Sequence, residues 1–344
     1  MLKRLTFGLL AALVGLWFSL ASEQLSAALA QQAGKGISWK HGLNLQVRKF
    51  GEKEFTNAPK YGNEIFHDRD LEQLVYINET GTLAVAPASK VPAAGADVAA
   101  PKLFHALEVK VRPVGEAKFD KAVGYGIEVF KDPNTDTLLY LSQAASIGAL
   151  PAGSLTPADK VKDPVWFHGL EVKVRKAGEA EFTDKTKKVS LEVYKDENTG
   201  QLVYITDAGQ IAVVPAGNAS KPSEVKAPTW FAACELKVRK ADEKEFSDKT
   251  KMYGIEIYKD ENAGTLLFVS DAGSIAVVPA GNVNKPASSK DPKWAHGRSF
   301  RVRKGNEPDF NDKTQKYGAE VYDDENTGKR IYISETGAIA VLSK

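Results

Sequence analysis

The chain has 344 residues, and its 46 Lys and Arg residues nearly balance its 44 Asp and Glu residues. The lysines are scattered singly among acidic residues, which is typical of a solvated surface, and we expect no nucleic-acid partner. The single cysteine, Cys234, excludes an internal disulfide. A secreted fold without disulfides must be large enough to bury a substantial apolar core.

Residues 1–30 have the features of a secretory signal peptide. Lys3 and Arg4 precede an apolar run from Leu5 to about Ala21, and small residues suited to cleavage follow. An uncleaved membrane anchor is the alternative, because roughly 17 apolar residues lie at the short end of a membrane span. We expect a secreted or periplasmic protein with no stable span after signal cleavage.

The rest of the chain is a fivefold repeat. One arginine recurs every 63 or 64 residues, within segments such as "LEVKVRK" and "CELKVRK". The spacing divides the chain into repeats at 37–87, 101–151, 164–215, 228–279 and 292–343. Between the repeats lie Pro-, Ala-, Lys- and Ser-rich stretches with no apolar period, which we interpret as connectors.

The sequence pattern of each unit predicts four β-strands. In the third unit, Leu170, Val172 and Val174 alternate with polar residues, as in a half-buried strand. A polar loop with one phenylalanine leads to a second strand, "SLEVYKD", and a third, "QLVYIT". Gly200 and Gly209 follow these two strands where tight hairpin turns need a left-handed residue, and "QIAVV" forms the fourth strand.

Five units of four antiparallel strands are what a five-bladed β-propeller requires, since one unit of about 50 residues is marginal alone. In unit count, strand count and the pattern of about one tryptophan per unit, residues 37–343 resemble the five-bladed propeller lectins of the tachylectin type. The resemblance implies a ring of blades that bind carbohydrate. The alternative is five small β-domains on flexible connectors. No strand is exchanged between the first and last units to lock a ring.

An arginine and a glutamate recur 16 or 17 residues apart in every unit, on strands expected to be neighbours. We predict a structural ion pair within each unit rather than a working site. The pairs are Arg48 with Glu64, Arg112 with Glu128, Arg175 with Glu192, Arg239 with Glu256, and Arg303 with Glu320.

An aspartate begins the first hairpin turn of every unit, at positions 68, 132, 196, 260 and 324. The spacing in "DENTG" resembles the start of a calcium loop, but the later ligands are missing. A side chain that caps the turn backbone explains the aspartate without a metal. We expect no metal and no cofactor, although a cation at these turns stays an alternative.

The segments "WKHG", "WFHG" and "WAHG" open three of the units. An aromatic face beside a polar ring nitrogen is suited to holding a sugar. The candidate ligand-binding residues are Trp39, His41, Trp166, His168, Trp294 and His296. The alternative is a tryptophan that covers the sheet end and a histidine bonded to backbone. Leu103 replaces tryptophan in the second unit and Ala232 replaces histidine in the fourth.

We therefore expect a binding protein rather than an enzyme, because nearly every polar candidate recurs in each unit whereas a catalytic centre is assembled once. The exceptions, His67 and Cys234, are interpreted as drift within the repeat. Glycoside cleavage by paired carboxylates stays open, because Glu and Asp are abundant. Two functions remain: multivalent carbohydrate binding, and a structural or protein-interaction scaffold of the cell envelope.

Overall fold

The computed structural model describes residues 36–93, 96–156 and 160–343. The predicted signal peptide lies outside the described residues. Within them there are five separate four-stranded antiparallel sheets and one 3₁₀ turn at Phe119–Lys121. None of the described residues forms a helix of the length and hydrophobicity needed to cross a membrane.

Each sheet is a meander built from one contiguous stretch of chain. Blade 1 contains β1 (Ile37–Gln46), β2 (Lys60–Asp68), β3 (Gln73–Asn78) and β4 (Leu83–Pro87). Blade 2 contains β5 (Lys102–Val111), β6 (Val123–Asp132), β7 (Thr137–Ser142) and β8 (Ile147–Pro151). Blade 3 contains β9 (Val165–Val174), β10 (Lys187–Asp196), β11 (Gln201–Thr206) and β12 (Ile211–Pro215). Blade 4 contains β13 (Thr229–Val238), β14 (Lys251–Asp260), β15 (Thr265–Ser270) and β16 (Ile275–Pro279). Blade 5 contains β17 (Lys293–Val302), β18 (Gln315–Asp324), β19 (Lys329–Ser334) and β20 (Ile339–Ser343).

The predicted all-β, five-bladed propeller is confirmed. Neighbouring blades pack face to face, and each of the five core layers contains apolar side chains from two blades. Between blades 4 and 5, for example, Leu236 and Phe268 share one core with Ile331 and Ile339. Because every core layer is shared, the alternative of independent domains on flexible connectors is wrong.

The tight turns have the predicted glycine chemistry. Gly200 and Gly209 have φ angles of 71° and 76°, a left-handed conformation that a residue with a Cβ adopts at a cost. These turns keep the second, third and fourth strands of a blade in one sheet.

The chain runs from the outside of each blade to the inside. The fourth strands β4, β8, β12, β16 and β20 contact one another around the ring axis, and the first strands lie at the outer edge. Each connector must therefore return from the axis to the rim, a width of about 14 Å for four strands. This explains why the connectors are long.

The connectors are fixed to the next blade by an asparagine in its first turn. The Asn198 side chain accepts a hydrogen bond from Lys162 N at 2.8 Å and donates one to Lys162 O at 2.9 Å. Asn134, Asn262 and Asn326 bond to Ala99, Lys226 and Lys290 in the same way.

The ring closes without an exchanged strand, as the sequence predicts. Blade 5 meets blade 1 through an apolar layer that includes Phe300 and Val75, and β20 packs against β4. Ser334 Oγ donates to Gly81 O at 2.9 Å, as Ser142 Oγ donates to Gly209 O at 2.8 Å between blades 2 and 3. The closing contact therefore uses the same chemistry as the others.

Candidate binding site at the blade junctions

The recurrent arginines and glutamates are ion-paired between blades, not within them. Arg175 Nε lies 2.6 Å from Glu256 Oε1, and its Nη2 lies 3.2 Å from Oε2. The predicted pairing of Arg175 with Glu192 is wrong. The observed pairs are Arg48 with Glu128, Arg112 with Glu192, Arg175 with Glu256, Arg239 with Glu320, and Arg303 with Glu64.

Strand geometry explains the change of partner. Glu64 has the same parity on β2 as Phe66, which packs against blade 5, so this glutamate faces the preceding blade. Arg48 lies just beyond the last residue of β1 and reaches forward to blade 2. Both fork nitrogens of each arginine therefore meet a glutamate that is at most 2% exposed.

The same arginine holds the first loop of its own blade. Arg48 Nη1 donates to Lys53 O at 2.9 Å, and its guanidinium lies 4.5 Å from the centre of the Phe55 ring. The other four loop phenylalanines lie under the arginines of their units in the same way: Phe119, Phe182, Phe246 and Phe310. The recurrence of these phenylalanines is visible in the sequence, whereas this cation–π role is not.

Each tryptophan joins this cluster from the following blade. Trp294 Nε1 donates to Glu320 Oε2 at 2.7 Å, and the Phe246 ring meets the indole edge to face at 5.9 Å. The Arg239 guanidinium lies 5.4 Å from the indole centre. Trp39, Trp166 and Trp230 donate to Glu64, Glu192 and Glu256 at 2.6–2.8 Å. The indole is thus held in one orientation by a buried carboxylate.

A β-bulge separates each tryptophan from its histidine. Trp39 is opposite Phe66 in the ladder and His41 is opposite Ile65, so one extra residue places the two side chains on opposite faces of the sheet. His41 and His168 are at most 1% exposed. The prediction that tryptophan and histidine share a ligand site is therefore wrong for these pairs, because regular alternation does not hold through the bulge.

The histidines instead reach an aspartate of the next blade. His41 Nε2 lies 2.9 Å from Asp132 Oδ2 and must donate, because a carboxylate only accepts. Three further pairs have the same form at 2.8 Å: His105 with Asp196, His168 with Asp260, and His296 with Asp68. His296 is the least covered, with a side chain 16% exposed.

A tyrosine on the third strand joins two of these pairs. Tyr204 OH donates to Asp260 Oδ2 at 2.8 Å, and Tyr140 OH donates to Asp196 Oδ2 at 2.9 Å. Burial raises the pKa of Asp196, but the hydrogen bond and electrostatic attraction of His105, together with hydrogen bonds from Thr199 and Tyr140, outweigh burial and lower the pKa to about 2. The pKa values of Asp68, Asp132 and Asp260 are also lowered, because a histidine and further neighbours together outweigh burial.

The aspartates also cap their turns, as predicted. Asp196 Oδ1 accepts a hydrogen bond from Asn198 N at 3.0 Å, and Asp260 Oδ1 accepts one from Asn262 N at 3.0 Å. Among the described residues, no group of three or more His, Cys, Asp or Glu side chains is arranged to hold a metal ion.

Blade 4 lacks both donors to the next aspartate. Ala232 replaces histidine and Phe268 replaces tyrosine, while Asp324 keeps hydrogen bonds from Asn326 and Thr327 of its own turn. The sequence analysis identifies the loss of histidine at Ala232 but not the accompanying loss of tyrosine at Phe268. The simultaneous loss of tyrosine in the same unit was the signal that both residues serve one carboxylate.

The tryptophans differ in how much of the indole is open. Trp39 and Trp294 are 46% and 48% exposed. Lys221 Nζ lies 4.8 Å from the Trp166 ring centre, and Lys285 Nζ lies 4.6 Å from that of Trp230, so connector lysines cover these two rings. Leu103 occupies the tryptophan position in blade 2. The open indoles lie at adjacent junctions, between blades 4 and 5 and between blades 5 and 1.

A cavity of about 300 Å³ lies at the junction of blades 4 and 5, close to Trp294 although the indole is not part of its lining. Phe246, which contacts the indole, forms part of its wall. The other lining residues are Glu235, Lys237, Met252, Asp291 and Tyr322. The cavity therefore combines an apolar wall with carboxylates and an ammonium group, a mixture suited to an amphipathic ligand.

No protein-family model and no curated protein matches the chain. One solved structure with a detectable likeness is described as a streptogramin B lyase, with 10% identity over 90% of this chain and 88% of that chain, and a TM-score of 0.11. Another is virginiamycin B lyase from Staphylococcus aureus, with 13% identity over 89% of this chain and 74% of that chain, and a TM-score of 0.12. At these TM-scores the likeness supports no inference about this chain.

Proposed function

We propose that this protein is a secreted or periplasmic, multivalent carbohydrate-binding protein whose ligands stack on the open indoles of Trp39 and Trp294. The observation that carries the proposal is the pair of rigidly held, half-exposed tryptophans at adjacent junctions. A fixed aromatic face loses little conformational freedom when a ligand binds, which favours affinity.

The surroundings of Trp294 favour a sugar over a purely apolar ligand. A sugar ring presents C–H groups to an aromatic face and hydroxyl groups to its edges. Phe246 and Met252 extend the apolar surface of the cavity, while Glu235 and Asp291 can accept hydrogen bonds from hydroxyl groups. The predicted signal peptide is consistent with a glycan outside the cytoplasm as the ligand.

Two weak sites on one rigid ring can bind a polymer by avidity. When both sites engage one polysaccharide, the second contact is intramolecular and the apparent affinity rises without any new interaction. Since Trp166 and Trp230 lie under lysines, we expect two open sites rather than one per tryptophan.

The test begins with a glycan array and continues with the variants Trp294→Ala and Trp39→Ala. Each should weaken binding of a responsive oligosaccharide about tenfold, because a stacking face is lost. Trp230→Ala is the matched control, since it loses the same hydrogen bond to a buried glutamate but removes a covered ring. The stability of Trp230→Ala should fall by a similar amount, while its carbohydrate binding stays unchanged.

The absence of binding to any glycan would reject the proposal and favour the scaffold function. An equal loss of binding in Trp230→Ala and Trp294→Ala would also reject the proposed sites, because the effect would then follow stability rather than exposure.

A further inference from the structure

The ring axis contains an apolar channel. It has a volume of about 270 Å³ and is lined by residues of all five inner strands. Its walls carry aliphatic side chains such as Val85, Ala149, Val213, Val277 and Val341, and Ser343 supplies the one polar side chain among its described lining residues. An engineered apolar cavity of about 150 Å³ stays free of water and binds benzene, so this channel is large enough for an apolar ligand.

The channel is long and narrow. Each inner strand has five residues, which corresponds to a length of about 17 Å. The five inner strands enclose this length on all sides, so the channel suits an extended apolar chain that lies along the axis.

A shielded cation, Lys329, lies behind Ser343 at one end of the channel, next to the lining residues but not one of them. The inner strands of blades 1–4 end in proline, whereas that of blade 5 ends at Ser343, which is paired in register with Lys329. Lys329 is 9% exposed, and its Nζ donates to Ser343 Oγ at 3.0 Å. Burial lowers the pKa of Lys329. The same position in the other blades is neutral: Gln73, Thr137, Gln201 and Thr265.

This ammonium group has donors to spare. Lysine carries three N–H donors, and the hydrogen bond to Ser343 Oγ uses one of them. An ammonium group that is largely removed from water is stabilised by an anion, so an anionic group at this end of the channel would bind favourably.

We propose that the axial channel binds one unbranched alkyl carboxylate, with its chain along the axis and its carboxylate at Lys329 and Ser343. The apolar walls account for the chain and the cation at one end accounts for the head group. The site is separate from the tryptophans at the outer rim.

Isothermal titration of the full chain with dodecanoate, below the concentration at which it aggregates, tests the proposal. One molecule should bind per chain, dodecanol should bind more weakly, and acetate should not bind measurably. Lys329→Gln should weaken dodecanoate binding about tenfold or more and leave dodecanol unchanged, since only a charged hydrogen bond is lost. Glutamine at the equivalent positions 73 and 201 indicates that this variant can fold.

Two further variants locate the ligand. Lys293→Gln removes an exposed lysine of the same blade and should have no effect. Ala149→Leu narrows the channel at a position that carries valine in the other four blades, and should weaken dodecanoate and dodecanol alike. Failure of dodecanoate to bind, binding of several molecules per chain, or equal binding by Lys329→Gln would overturn the proposal.

Discussion

The junction between blades 3 and 4 and the junction between blades 4 and 5 share a cluster of arginine, glutamate and tryptophan but differ in the contacts of the turn aspartate. Both have a bidentate arginine–glutamate pair and a tryptophan that donates to the same glutamate. At the end of the same second strand, Asp260 accepts hydrogen bonds from His168 and Tyr204, whereas Asp324 faces Ala232 and Phe268 and accepts from its own turn.

The difference shows which contacts a junction can lose. Without the histidine and the tyrosine, the aspartate still has its turn donors, and the apolar layer between the blades is retained. The glutamate has no such local alternative, because its partners lie on the preceding blade or are the indole above it. We therefore expect the cluster of arginine, glutamate and tryptophan to be less tolerant of substitution than the contacts of the turn aspartate.

The largest effect is expected for the glutamates. Glu256→Gln and Glu320→Gln should each lower the free energy of unfolding by about 3 kcal/mol, since each leaves an arginine without its counter-ion in a largely covered site. Equal losses are expected at the two junctions, measured by urea unfolding of the full chain.

A double-mutant cycle checks the partner. Arg175 and Glu256 should couple by about 1–3 kcal/mol, while Arg175 and Glu192 should be additive. Coupling confined to Arg175 and Glu192 would contradict the contact between blades.

A smaller effect should separate the turn aspartates of the two junctions. Asp260→Asn should cost about 2 kcal/mol more than Asp324→Asn, because only the first loses a hydrogen bond from histidine to a carboxylate. The double variant His168→Ala and Tyr204→Phe copies the junction of blades 4 and 5. In it, Tyr204→Phe should lower the free energy of unfolding by less than it does in the otherwise unmodified chain. Equal costs for the two asparagine variants would mean that the histidine adds nothing to stability.

The loss of stability at low pH should depend on the same contacts between histidine and aspartate. The pKa of Asp196 is about 2 in the folded protein and about 3.9 in an unfolded chain, so its contribution is complete above about pH 4 and is lost as the pH falls towards 2. The expected loss is about 2 kcal/mol. His105→Ala should be less stable at pH 6 and should lose less on acidification, as followed by urea unfolding between pH 6 and pH 2.5.

His67→Ala serves as the matched control for the acid series. His67 bonds to Glu72, whose side chain is 64% exposed, and not to a buried aspartate. An acid response of His105→Ala as steep as that of the unmodified chain would contradict the role of the histidine.

The smallest effect concerns the covered and open tryptophans. Lys221→Ala should change the free energy of unfolding by less than about 1 kcal/mol, because a surface cation–π contact is weak. The substitution should nevertheless expose Trp166 and raise the number of carbohydrate sites in a titration from two to three. An unchanged number would show that the lysine does not control access.

Much of the fold follows from local sequence. Alternation in "LEVKVRK" predicts the outer strand, and the glycines after positions 199 and 208 predict the two turns, because these signals act within a few residues. Five such meanders then leave few ways to bury both faces, and a ring of blades is one of them.

The pairing partners at the site were harder to predict, because every repeat contains the same residue types. Every unit contains one arginine and one glutamate, so the sequence cannot distinguish a pair within a blade from a pair between blades. The bulge at Trp39 and His41 adds one residue without changing the strand signals, yet it reverses which face the tryptophan occupies. The connector lysines over Trp166 and Trp230 come from segments with no periodic pattern at all.

One junction of the closed ring has the same chemistry as the others but costs more chain entropy to close. Arg303 and Glu64 are 239 residues apart along the chain, whereas the other ion-paired partners are separated by 80 or 81. Closing a threefold longer loop costs about 1 kcal/mol more in chain entropy. The seam between blades 5 and 1 is therefore where the ring should open first, and both open tryptophans belong to blades that meet there.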